Sequence, residues 1–190
     1  YGEMSLVSRV GFGLERHFDV GGFGLVPRVV RALVPVGAIT HVMYVHDGQN
    51  LFHPDSETPF GSWHIEQRVP PGVLVIGIDN TAFRMDEYTH VEDEIPELVG
   101  GLADDYARLV EEQVRPLVRR WYGEPGPVGV MGSSLGGLVS LHIADRNPTG
   151  WDFVASLSGT LGWGSFAPGV DDGDDTILDR WRGDSHRPLA

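Results

Sequence analysis

The chain has 190 residues, enough for one domain with a sizeable core, and its 41% apolar and 22% charged content is that of an ordinary globular protein. A formal charge of -13 argues against nucleic-acid binding and against docking on anionic membranes, both of which need a basic face. There is no cysteine, which excludes disulfides, thiolate chemistry and Cys-based zinc sites and fits a reducing, cytoplasmic compartment.

No repeat or long linker divides the chain, so residues 1–190 read as a single domain. The opening "YGEMSLVSRV" lacks a signal pattern, and no run approaches the ~20 apolar residues of a membrane span. "GLVPRVVRALVP" (24–35) is rich in β-branched residues and predicts an early strand. "HVMYVHD" (41–47) and "GVLVIGIDN" (72–80) are short, nearly continuous apolar runs, as expected of strands buried on both faces of a parallel sheet. From 101 to 121, Leu102, Tyr106, Leu109, Val110, Val114, Leu117, Val118 and Trp121 share one helical face, and Pro116 is expected to bend that helix. "PVGVMG" (127–132) predicts another strand. Leu138, Leu141 and Ala144 predict a helix that ends near "RNPTG". "DFVASLSG" (152–159) predicts one more strand. Alternating strands and helices predict an α/β fold with mostly parallel pairing. The acidic "DDGDDTILD" (171–179) does not match calcium-loop spacing and reads as a solvated surface loop.

Between predicted strand and predicted helix stands "GSSLGG". The Gly-x-Ser-x-Gly frame selects Ser134 over Ser133. A nucleophilic serine needs a sharp strand-to-helix turn that lifts its hydroxyl above the sheet edge. The helix that starts at Leu135 turns its N-terminal dipole and free N–H groups toward that point, and the Leu135 N–H would be one donor to an oxyanion. The competing reading is a glycine turn without chemistry.

Other motifs accompany the serine in order. "VMYVHDGQNLF" (42–52) resembles the Tyr-x-His-Asp-Gly-Gln-Asn-Leu-Phe signature of the putative-esterase family of α/β-hydrolases, which includes esterase D-like and enterochelin-esterase-like proteins. "GIDNTAFRMDEYT" (77–89), "GSSLGG" and "SLSGTLGWG" (156–164) are similar to its further segments. The resemblance runs from about residue 25 to 165 and implies an α/β-hydrolase-type sheet flanked by helices. It implies a serine esterase that forms an acyl-enzyme on Ser134 and takes a small acyl ester. No phosphate-binding loop, complete dinucleotide fingerprint or His-Glu-x-x-His motif is present, so no cofactor and no metal are expected. The resemblance implies a second oxyanion donor at the Gln49 N–H. It also sets Asp79, Asn80, Arg84 and Trp163 around the pocket mouth, as candidates for substrate contact. The plainer alternatives are that Asp47, Asp79 and Asn80 cap strand-end loops and that Arg84 clamps a loop through Glu87 or Asp86.

The serine also needs a general base and an orienting acid, which follow it in this fold. His142 lies eight residues on in the same predicted helix, ~12 Å along the axis at 1.5 Å per residue. His186 precedes "RPLA", which reads as the start of a further strand and so lies at the wrong edge of the sheet. His46 ends its strand at the correct edge, but the resemblance gives it a role in orienting the oxyanion-side loop. His17, His41, His53, His64 and His90 match no motif position. The family's acid and His are therefore expected beyond Ala190, with the last strands and helix of the fold, and the chain is read as incomplete at its C-terminal end. Two further readings stay open: an acyltransferase on the same scaffold, and a non-catalytic binding protein. Homo-oligomerisation is compatible with the sequence.

Overall fold

The computed structural model describes residues 12–52, 61–94, 97–166 and 176–183. The described part begins with an antiparallel pair, β1 (Phe12–Gly22) and β2 (Leu25–Pro35). β3 (His41–His46) leads into a single 3-10 turn at Gly48–Asn50, and β4 (Val73–Ile78) follows. A one-turn helix α1 (Arg84–Glu87) precedes a small hairpin of β5 (Glu92–Glu94) and β6 (Leu98–Gly100). Then come α2 (Ala103–Leu109), a π-helical turn (Val110–Val114), and α3 (Arg115–Tyr122). β7 (Val128–Ser133), α4 (Leu135–Arg146), β8 (Phe153–Leu157) and α5 (Ile177–Gly183) complete the described chain. The main sheet has the order β1-β2-β4-β3-β7-β8. Its β4, β3, β7 and β8 run parallel, and the β1–β2 hairpin is added antiparallel. This is a mostly parallel α/β sheet flanked by helices.

The sheet is buried on both faces, which is why β3, β4 and β7 read as nearly continuous apolar runs. Side chains alternate with period two. Val42, Tyr44, Leu74, Ile76, Ile78 and Val130 pack with Tyr106, Leu109, Val110, Leu138, Val139 and Ile143 from α2, the π turn and α4. Val45 and Val75 face the other way, onto Leu33, Leu51 and Phe52. The parallel strands therefore end together at one edge, where His46, Ile78 and Ser133 are followed by the loops that carry the motifs.

Several expectations need correction. β1, α1 and the β5–β6 hairpin were not anticipated. The bend expected at Pro116 is a π turn placed just before it. There the Arg115 N–H reaches back five residues to the Val110 carbonyl, so the register shift falls before the proline that lacks a donor. The acidic segment is not a loop throughout: Ile177 opens α5 and is fully buried in the main core. Residues 171–175, the "RPLA" strand start and His186 lie outside the described residues.

Candidate active site

Ser134 stands between β7 and α4 with φ 55° and ψ -122°, a left-handed conformation that few non-glycine residues adopt. The turn is tight because the strand and the helix nearly touch: a Cβ on Gly132 would lie 2.5 Å from the Gly136 carbonyl. Backbone bonds hold the serine in this geometry. Its N–H donates to the Leu157 carbonyl (3.0 Å), and its carbonyl accepts from Leu138 N–H (3.1 Å) and Thr160 N–H (3.2 Å). The side chain is exposed, and its Oγ lies 3.3 Å from Thr160 Oγ1. Ser133 instead closes β7, in register with Leu157. Leu135 opens the twelve-residue α4, so its N–H has no acceptor within the helix and points out at the N-terminal, electropositive end.

The β3 loop lies against that same first turn. A Cβ on Gly136 would sit 3.2 Å from Asp47 Oδ2 and 3.3 Å from His46 Cβ. Asp47, also left-handed at φ 60°, organises the loop. Its buried carboxylate accepts a two-pronged bond from Arg84 (Nε to Oδ1 2.7 Å, Nη2 to Oδ2 2.8 Å) and a third bond from Asn80 Nδ2 (2.6 Å). Asn80 N–H in turn donates to Gln49 Oε1 at 3.1 Å. The side chain of Gln49 is thereby engaged, while its N–H lies at the start of the 3-10 turn, where no intrahelical acceptor exists. Gly48 is needed here, because a Cβ would lie 2.6 Å from the Gly77 carbonyl carbon of β4.

Arg84 pairs with Asp47, not with Glu87 or Asp86 as expected. Glu87 is taken by Arg28 of β2, at 2.7 and 2.8 Å with both side chains almost wholly buried. Asp79 is held by Arg31 of the same strand through two bonds of 2.8 Å. Both prongs of Arg84 and the amide of Asn80 are thus engaged in the loop. Trp163 is not at an open mouth. It is 1% exposed, its indole N–H donates to the Val91 carbonyl (2.8 Å), and its ring lies against Gly100. The adjacent backbone is pinned by buried Asp93, which accepts from Gly164 N–H (2.8 Å) and Phe166 N–H (3.1 Å). Trp163 N–H donates to the Thr160 carbonyl (3.2 Å), so this packed segment reaches Ser134 through Thr160. Thr160 and Asp93 were not singled out from sequence. The signal for both is spatial, since 26 residues separate Thr160 from Ser134.

His46 and His142 are engaged elsewhere. His46 is fully buried, with Nδ1 2.9 Å from the Tyr106 hydroxyl and its ring beside those of Tyr88 and Tyr106. Burial lowers its pKa to about 4, so the imidazole is neutral. His142 is buried in α4, with Nε2 2.8 Å from Asp104 Oδ1 and its ring stacked on His90. Burial outweighs the attraction of Asp104 and lowers its pKa to about 4 as well. His53 lies outside the described residues. Among the described residues, the side chain bonded to Ser134 Oγ is that of Thr160. No cluster of His, Asp or Glu among them could hold a metal ion, and no helix is long and apolar enough to cross a membrane.

With this geometry in view, residues 27–186 match the family described as "Putative esterase". The chain belongs to the putative-esterase family. A similar curated protein is the uncharacterised YbbA of Bacillus subtilis, 32% identical over 126 residues. That match covers 62% of this chain and 49% of YbbA, so the chain spans about half the length of that relative. Among solved structures, the BES protein from Bacillus cereus superposes with a TM-score of 0.70 at 18% identity, covering 95% of this chain and 70% of the other. The siderophore hydrolase EstA from Aspergillus nidulans gives 0.60 at 22%, covering 79% of this chain and 59% of EstA. At these identities the two structures report the shared fold, the α/β-hydrolase-type sheet of the family.

Proposed function

We propose that this chain carries the nucleophile and the oxyanion-binding part of a serine esterase. The supporting observation is the strained, exposed Ser134 at the strand-to-helix turn, with the N-terminus of α4 behind it. Membership of an esterase family, and the ester and siderophore hydrolases among the fold neighbours, agree with this reading.

In this reaction Ser134 Oγ attacks the carbonyl carbon of a small carboxylic ester, and its proton passes to a general base that lies outside the described residues. The carbonyl π electrons move onto oxygen. The N–H groups of Leu135 and Gln49 receive that oxyanion, two fixed dipoles that need no reorientation. Collapse of the tetrahedral intermediate breaks the C–O bond to the alcohol, which leaves with a proton, and water then hydrolyses the acyl-enzyme. Asn80 and Arg84 serve by fixing the Gln49 loop through Asp47.

A fluorophosphonate probe should label the full-length wild-type protein at Ser134 and leave Ser134→Ala unlabelled. Absence of labelling in folded, active full-length protein would refute the nucleophile.

A further inference from the structure

We infer that Thr160 is a positioning residue for the nucleophile, setting both the backbone and the hydroxyl rotamer of Ser134. The inference rests on the serine-nucleophile reading above and adds a residue to it. Three contacts converge. Thr160 N–H donates to the Ser134 carbonyl at 3.2 Å, a bond that runs from the end of the β8 loop back to the elbow. Thr160 Oγ1 lies 3.3 Å from Ser134 Oγ. Leu157, the last residue of β8 just before that loop, accepts the Ser134 N–H at 3.0 Å. One segment, 157–160, therefore grips the serine on its N–H, its carbonyl and its side chain. That segment is itself held in a costly shape, since Ser158 is left-handed at φ 48°. It is braced from behind, where Trp163 N–H holds the Thr160 carbonyl and Asp93 holds Gly164 and Phe166.

The hydroxyl contact has a definite physical consequence. At 3.3 Å it is longer than an ordinary hydroxyl pair, which peaks near 2.7–2.8 Å. It is strong enough to bias the serine rotamer and weak enough to be given up when Oγ turns to the ester carbon. A side chain free to rotate among three staggered wells spends most of its time out of line. A threonine beside it reduces that search before attack. Backbone and hydroxyl effects are separable: valine keeps the β-branched shape and the N–H but removes the oxygen, and serine keeps the oxygen.

The test compares full-length wild type, Thr160→Val, Thr160→Ser and Ser134→Ala. It measures the second-order rate of phosphonylation by a fluorophosphonate and the burst rate with p-nitrophenyl acetate, with the thermal midpoint of each protein alongside. Thr160→Val is expected to slow both reactions by roughly 3- to 10-fold, the scale of one hydrogen bond, at an unchanged thermal midpoint. Thr160→Ser should restore both rates to within about twofold of wild type. Wild-type rates in Thr160→Val would overturn the inference, and so would equal losses in the valine and serine variants. Failure of the nucleophile reading has a different signature: wild type unlabelled, or Ser134→Ala labelled like wild type.

Discussion

Asp47 is the residue that organises the loop after β3. Its carboxylate holds Arg84 and Asn80, and Asn80 holds Gln49. Asp47→Asn keeps a side chain that tolerates the left-handed backbone but removes the charge that Arg84 grips. The expected result is a loss of about 1.5–3 kcal/mol in chemical denaturation, with slower ester turnover. Unchanged stability and turnover would show that the loop is held without this carboxylate. His46 and His142 make a second residue-scale prediction. Both are held near pKa 4 by burial, below the ordinary 6.5 that unfolding restores. Between these values the unfolded chain binds more protons, so stability is full above pH 6.5 and falls as the pH drops toward 4. Each histidine contributes a slope of up to ~1.4 kcal/mol per pH unit. Thermal midpoints across pH 7 to 4.5 should show the fall, and His142→Gln should make it shallower; an identical profile in that variant would contradict the burial argument.

Among elements, β2 and α1 show where a sequence reading stops. β2 was legible as a strand from its valines and leucines, yet its two arginines look like solvent residues in the string "VPRVVRALV". Both are buried because Glu87 of α1 and Asp79 after β4 meet them two-pronged. Those partners lie 59 and 48 residues away, beyond any local signal. Glu87→Ala leaves the Arg28 charge buried without its partner and should cost about 3–5 kcal/mol in denaturant titration. A cost below about 1 kcal/mol would mean that water reaches Arg28. Arg84 was misread for a related reason. Its sequence neighbours Asp86 and Glu87 are close in the chain, but α1 is a single turn and turns Arg84 toward Asp47. β7 and α4 were legible because glycine spacing and apolar period are local. The π turn was not, since only the position of Pro116 hinted at an irregularity.

At the scale of the whole molecule, the sheet brings the ends of β3, β4, β7 and β8 to one edge and so assembles "HDGQN", "GIDN", "GSSLGG" and "SLSGT" around Ser134. The order of those motifs was readable from sequence; their contacts were not. Thr160 and Trp163 show the difference. Trp163 was expected at the pocket mouth; its side chain is buried, and its backbone N–H donates to the carbonyl of Thr160, the residue beside Ser134. Trp163→Phe keeps most of the packing and loses the bond to Val91. It should destabilise the fold by about 1 kcal/mol by differential scanning fluorimetry while leaving the affinity for short esters unchanged. A large rise in KM would instead return Trp163 to the substrate. The proposed reaction requires that Ser134 becomes acylated. Acid-quenched intact mass of the full-length protein during p-nitrophenyl acetate turnover tests it most directly. A transient gain of one acetyl group is expected, mapped to the Ser134 peptide and absent in Ser134→Ala; turnover with no adduct, or an adduct on another residue, would refute acylation of Ser134.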